Sequence, residues 1–157
     1  MSNFIVREAR EEDMVSVIEL ENKCFRYPYP PHVLYMLRAL YPELFLVAID
    51  SNSGRIVGYV SAVIRRSGYG HIVSICVDPD YRRRGVGRAL MLEVERRLRE
   101  IFSVCNVRLE VRISNYPAIN LYRSLGYRAV EVIEDYYPDG ETALVMIKNI
   151  CRDSSSR

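Results

Sequence analysis

The chain has 157 residues, of which 49% are hydrophobic and 27% charged, and its formal net charge is +2; this suits one soluble domain with a sufficient core. So small a charge implies no nucleic-acid partner, no run of about 18 apolar residues could span a membrane, and the mixed acidic and apolar start is unlike a signal peptide, so the default location is the cytoplasm. Cysteines at 24, 76, 105 and 151 include no CxxC pair and the chain has only two histidines, which argues against a disulfide framework and against any metal site.

Phe4 to Val6 reads as a short strand, and Glu11 to Phe25 as a helix with Met14, Val17, Ile18 and Phe25 at helical spacing. Acidic residues at 11, 12 and 13 suit its N-terminus. Tyr27-Pro28-Tyr29-Pro30-Pro31 is a stiff aromatic loop before a second helix over about 32–41. Leu44–Ile49 and Arg55–Ile64 are apolar strands joined by a turn at Asp50-Ser51-Asn52-Ser53-Gly54. Arg65 and Arg66 sit in the next turn and read as solvated; His71 to Val77 is the following strand. Val86, Leu90, Val94, Leu98 and Ile101 then mark one face of a long helix. Val107–Ile113 is a strand, and Pro117–Leu125 a short helix stopped by Gly126. Arg128–Glu134 and Thr142–Lys148 close as an antiparallel pair. The alternation predicts one mixed α/β sheet with helices on both faces, a domain over 1–150 and a polar, frayed tail over 151–157.

The most informative stretch joins strand to helix: Val77-Asp78-Pro79-Asp80-Tyr81-Arg82-Arg83-Arg84-Gly85-Val86-Gly87-Arg88. A helix start gathers unpaired N–H groups and the positive end of the dipole, which favours an anion. Four arginines add full charges, and glycines at 85 and 87 clear Cβ atoms from the approach of a phosphate. The phosphate loop of nucleotide hydrolases is excluded, since no Lys-Ser or Lys-Thr follows. The dinucleotide fingerprint is excluded because Leu90 occupies its third glycine position.

What remains, Arg82-x-x-Gly85-x-Gly87, resembles the acetyl-coenzyme A turn of the GNAT acetyltransferases. The resemblance extends along most of the chain. Gly70 to Val77 is similar to the core strand of the protein amino-terminal acetyltransferases, and Leu109 to Asn115 with Ala118 to Tyr127 looks like the partner strand and helix. Glu134-Asp135-Tyr136-Tyr137 with Asp139-Gly140 resembles the late hairpin of that branch, which includes the bacterial ribosomal-protein alanine enzymes and their archaeal counterparts. The family fold implied is a single, mostly antiparallel sheet of about seven strands with a central splayed parallel pair and about four helices.

The resemblance also implies roles. Acetyl-CoA is the cosubstrate, its pantetheine arm along Ile75, Cys76 and Val77 and its pyrophosphate at Arg82, Arg83, Arg84, Gly85, Val86, Gly87 and Arg88. Asn115 matches a pantetheine contact, although as a bare residue it equally starts the turn before Pro117. Tyr122 matches the proton donor to the leaving thiolate and lines the cofactor site. Glu110 matches the general base, acting through a water, and His71 shares that role or packs at the strand start. Tyr27, Pro28 and Tyr29 face Tyr136 and Tyr137 across the substrate groove; the acidic residue that archaeal relatives often carry in the first loop is missing. The activity implied is acetyl transfer to protein or peptide N-termini by direct attack in a ternary complex, with the ribosome or an auxiliary subunit as further partners. A lysine or small-amine acceptor and a non-catalytic coenzyme A module are the alternatives.

Overall fold

The computed structural model describes residues 3–152. Its elements run β1 (Phe4–Glu8), α1 (Met14–Cys24), α2 (Pro31–Leu40), β2 (Phe45–Asp50), β3 (Ile56–Ile64), β4 (Gly70–Val77), α3 (Val86–Phe102), β5 (Asn106–Arg112), α4 (Tyr116–Ser124), β6 (Arg128–Ile133) and β7 (Ala143–Asn149). Every element expected from periodicity is present, within a residue or two at its ends except that α1 begins three residues later than expected, after a 3₁₀ turn over Glu11–Asp13; single 3₁₀ turns also precede β2 and the glycine turn. The seven strands form one sheet in the order β1-β2-β3-β4-β5-β7-β6. β7 lies between β5 and β6, so the last hairpin joins the sheet by its second strand.

Two apolar layers cover the sheet. Met14, Val17 and Leu20 of α1 and Leu34 and Leu37 of α2 pack on Phe45, Val47 and Tyr59. On the opposite face Val86, Leu90, Val94 and Leu98 of α3 and Ile119 and Tyr122 of α4 pack on Val60, Ile72, Leu109 and Met146. Burial of both faces explains why β3 reads as an almost unbroken apolar run.

The sheet has one discontinuity that matters. β4 and β5 are parallel and pair only at Gly70–Val107 and His71–Arg108. Beyond His71 they part, while β4 stays paired to β3 as far as Val77 and β5 stays paired to β7 along its whole length. The register of β3 on β4 slips between Ser61 and Ala62, opposite Ser74 and Ile72. This bulge at Val73 re-aims the side chains: Val73 packs on the α1 and α2 layer, and so does Ser74, through Tyr59.

The cysteines depart from the sequence expectation. Cys24 is bonded to Cys76 and Cys105 to Cys151. The first bond ties the end of α1 to β4. The second closes the base of the β5–β7 pair, where Ile150 N also donates to the Cys105 carbonyl at 2.7 Å. Separations of 52 and 46 residues conceal such pairs, because proximity here is set by the sheet and not by spacing. Cys151 is therefore held and not frayed; residues 153–157 of the expected tail lie outside the described residues. No helix among the described residues is long and apolar enough to cross a membrane.

Candidate active site

The unpaired inner edges of β4 and β5 frame a wedge-shaped gap, and several of the residues singled out in the sequence lie at its margins. Ile75, Cys76 and Val77 expose one backbone edge of β4 to it. At its far end the chain passes through Pro79–Tyr81 into the glycine turn and α3. Gly85 has φ of +84°, and a Cβ there would meet nothing within 4 Å; glycine is required by the backbone and leaves the approach clear. Gly87 answers to packing instead, since a Cβ would lie 3.2 Å from Leu121 Cδ2 and 3.6 Å from Val77 Cγ2. Arg82, Arg83, Arg84 and Arg88 are all exposed. The Nε of Arg82 donates to the Val77 carbonyl at 3.3 Å, and Arg84 lies 4.9 Å from the Tyr81 ring centroid. Val86 is buried, anchoring the first turn of the helix. The turn thus offers helix-start N–H groups and exposed cations to a diphosphate, and a carrier of that kind fits it.

On the α1 and α2 side of the gap, β5 projects Arg108 and Glu110, and β4 projects His71. The Nε2 of His71 lies 2.7 Å from Glu110 Oε1, while Arg108 Nε donates to Glu110 Oε2 at 2.8 Å. Arg65 is exposed, as expected, and also donates from Nε to His71 Nδ1 at 2.9 Å. An arginine can only donate, so Nδ1 is the accepting nitrogen and Nε2 carries the hydrogen aimed at Glu110. Burial pushes the Glu110 carboxyl up, but the bonds from His71 and Arg108 outweigh it and hold its pKa below the usual carboxylate range. Glu110 is half-buried, ionised and still able to accept from a water.

Three tyrosines complete this pocket. Tyr29 of the α1–α2 loop and Tyr136 and Tyr137 of the β6–β7 hairpin have phenols raised by burial, with the Glu110 charge adding to the shift in each. Arg112 pins the hairpin: Nη1 is 2.9 Å from Asp139 Oδ2 and 2.8 Å from Glu141 Oε1, and its guanidinium lies 4.2 Å from the Tyr137 ring centroid. Arg26 reaches across to Asp139 at 3.9 Å, so the two walls nearly meet. Pro28, between Tyr27 and Tyr29 in the first wall, is half-buried, whereas Tyr27 is exposed with Arg26 above its ring.

Tyr122 belongs to the other layer. It is 6% exposed, stacks edge-on with Tyr127 at 6.0 Å, and burial alone raises its phenol. Asn115 caps α4, its side chain accepting from Ala118 N at 3.3 Å, which favours the turn-starting reading of this residue. Arg65 was missed because nothing in a turn sequence shows which strand a long side chain folds back on. Glu21 was missed too, although it carried a signal: it falls four residues after Val17 and four before Phe25, on the buried stripe of α1.

A separate polar cleft of about 420 Å³, lined by Arg7, Asp13, Glu19, Lys23, Arg55 and Asp78 among others, holds none of the residues expected to bind cofactor or substrate or to catalyse. Two of its acids are paired, Asp13 with Arg7 at 2.6 Å and Asp78 with Lys23 at 3.2 Å.

The family model of the acetyltransferases (GNAT) matches residues 14–127, which takes in the gap, the glycine turn and Tyr122. The chain belongs to the GNAT acetyltransferase family. Within it, an N-alpha-acetyltransferase of Sulfurisphaera tokodaii is 36% identical over 156 residues, covering 91% of each chain. Among solved structures, Ard1 from Thermoplasma volcanium superposes with a TM-score of 0.87 at 29% identity, over 94% of this chain and 97% of that one. Chaetomium thermophilum Naa20, solved with a bisubstrate analogue, gives 0.85 at 31% identity over 95% and 88%. The seven-stranded sheet with one parallel pair and four helices is the GNAT fold.

Proposed function

We propose that this GNAT protein transfers the acetyl group of acetyl-CoA to the free α-amino group of protein N-termini, by direct attack in a ternary complex. The observation that carries the proposal is the parting of β4 and β5 beyond His71, with the glycine turn at one end and Glu110 with its tyrosine walls on one face. A relative named an N-alpha-acetyltransferase, and neighbours of the same fold, one of them bound to a bisubstrate analogue, support it.

Acetyl-CoA supplies the acetyl group as a reactive thioester; the chain's residues must hold it, relieve the amine of a proton and return one to sulfur. The β4 edge from Ile75 to Val77 and the turn from Arg82 to Arg88 hold the carrier, and a main-chain N–H near Cys76 or Val77 faces the developing oxyanion. Glu110 accepts the amine proton through a water, with His71 and Arg108 fixing the carboxylate in place. His71 then acts as a donor to Glu110 and not as the base, because Arg65 occupies its other nitrogen. Tyr122, kept protonated by burial, gives its proton to the departing thiolate.

The acceptor follows from magnitudes. An α-amine has a pKa of about 7.7–8.0 and a lysine about 10.4, so near pH 7.5 deprotonation costs under about 1 kcal/mol for the first and about 4 for the second. A carboxylate with a lowered pKa is a weak base, matched to the easier proton. The proposal extends to a partner that presents chain termini, an auxiliary subunit or the ribosome, for which exposed Tyr35, Met36 and Leu40 of α2 offer an apolar surface. The test is thiol release from acetyl-CoA with short peptides bearing free α-amines, against the same peptides blocked at the N-terminus and carrying lysine. Release with the free set alone is expected; release with the blocked set alone would refute the assignment.

A further inference from the structure

The loop that carries Tyr29 has few main-chain donors with which to anchor itself. From Tyr27 to Pro31 three of five residues are proline, so only Tyr27 and Tyr29 have an N–H to give. Among the described residues, the one hydrogen bond donated by the main chain of residues 26–30 runs from Tyr29 N to Glu21 Oε2, at 2.9 Å. Glu21 is 2% exposed. Its other oxygen, Oε1, bonds the Tyr59 hydroxyl and lies 3.4 Å from Ser74 Oγ, which in turn is 2.9 Å from the Tyr59 oxygen. Tyr59 is fully buried on β3, and Ser74 stands at the bulge of β4.

Glu21 therefore joins three parts of the site: the substrate loop, the neighbouring strand β3, and the point where β4 bends beside the gap. A carboxyl group buried with no cation among these bonded partners is costly, and an apolar residue of similar volume would serve the core at least as well. What an apolar residue could not do is accept the N–H of Tyr29. We infer that Glu21 is a positioning residue for the peptide, holding Tyr29 at the distance from Glu110 that the incoming terminus requires. This rests on the reading of the site as an α-amine acetyltransferase.

The test compares Glu21→Met, which fills the space without accepting, with Glu21→Gln. In the glutamine variant Oε1 still accepts from Tyr29, the amide nitrogen donates to the Tyr59 oxygen, and Tyr59 turns its proton to Ser74. Steady-state kinetics with acetyl-CoA and a peptide bearing a free α-amine should show the peptide KM raised at least tenfold in Glu21→Met. The acetyl-CoA KM should stay within about twofold, and Glu21→Gln should recover most of the loss. An unchanged peptide KM in a folded Glu21→Met, or equal damage from both substitutions, would overturn the inference. A second measurement needs no variant and no turnover: in the unaltered protein the Tyr29 amide should exchange hydrogen at least a hundredfold more slowly than an unstructured amide. Exchange at the unprotected rate would overturn the inference even if the proposed activity holds. Protection without acetylation of any free α-amine would retain the Glu21 clamp and refute only the proposed activity.

Discussion

The two sides of the β4–β5 gap are built in opposite ways. On the substrate side the polar groups are committed: both oxygens of Glu110 and both of Glu21 have donors, and Arg112 locks the hairpin. At the turn, Arg83 and Arg88 are exposed, Arg82 donates to the strand-end carbonyl of Val77, and Arg84 lies over the Tyr81 ring. Catalysis gains from dipoles fixed before the reaction, because they need not reorganise as charge develops. Capture of a flexible polyanion gains from unspent cations and N–H groups that close on it as it arrives.

That contrast can be broken from either side. The largest effect should follow Glu110→Gln, which removes the proton acceptor but keeps the shape; kcat should fall about 100-fold, within the usual range for a general base. His71→Ala, if His71 only orients Glu110, should cost about tenfold in kcat by the same reasoning. A larger loss from His71 than from Glu110, in parallel single-turnover measurements, would reverse their assigned roles.

Replacing Arg83 and Arg88 together by alanine should act on the other side, weakening acetyl-CoA by about tenfold at low salt and leaving the peptide KM alone. Surface charges are screened over about 8–10 Å at physiological ionic strength, so the difference should shrink in titrations at high salt. Gly85→Ala should weaken the carrier further by forcing a Cβ into the left-handed region, at about 1–2 kcal/mol.

The pH profile sharpens the division of labour. Glu110 lies below the usual carboxylate range, so it is already ionised and adds no rising limb near neutrality. kcat/KM should climb tenfold per pH unit up to the substrate amine's pKa of about 8 and then level. Tyr122 is raised by burial, so no fall should appear below about pH 10, the ordinary phenol value.

The smallest catalytic effect should come from reduction of the two disulfides. Each closes a long loop, and about 2–4 kcal/mol is typical for such a bond. At about 2–4 °C per kcal/mol for a chain of this size, each lost bond should lower the melting temperature by about 5–15 °C, read by calorimetry with and without reductant.

How far the sequence reveals this molecule depends on the range of each interaction. Helix stripes and strand runs are local, so α3 and its Val86-Leu90-Val94-Leu98 face were legible to within a residue. Glu110 was legible because strand alternation places it with Arg108 and Arg112, opposite Leu109 and Val111. The two cystine pairs were not, since each bridges elements that only the sheet brings together. The bond from exposed Arg65 to His71 crosses a hairpin turn and leaves no trace in the sequence, and the capping role of Asn115 shows only in the bond it accepts from Ala118 N. Glu21 shows a detectable clue passed over: an acidic residue on an apolar stripe asks what buried donor it serves.

The most direct measurement is amide hydrogen exchange with and without acetyl-CoA. Slowed exchange confined to residues 72–77 and 83–88 is the outcome that places the carrier in the gap. Protection instead around Arg7, Asp13, Lys23 and Arg55, or none at the turn, would contradict the account.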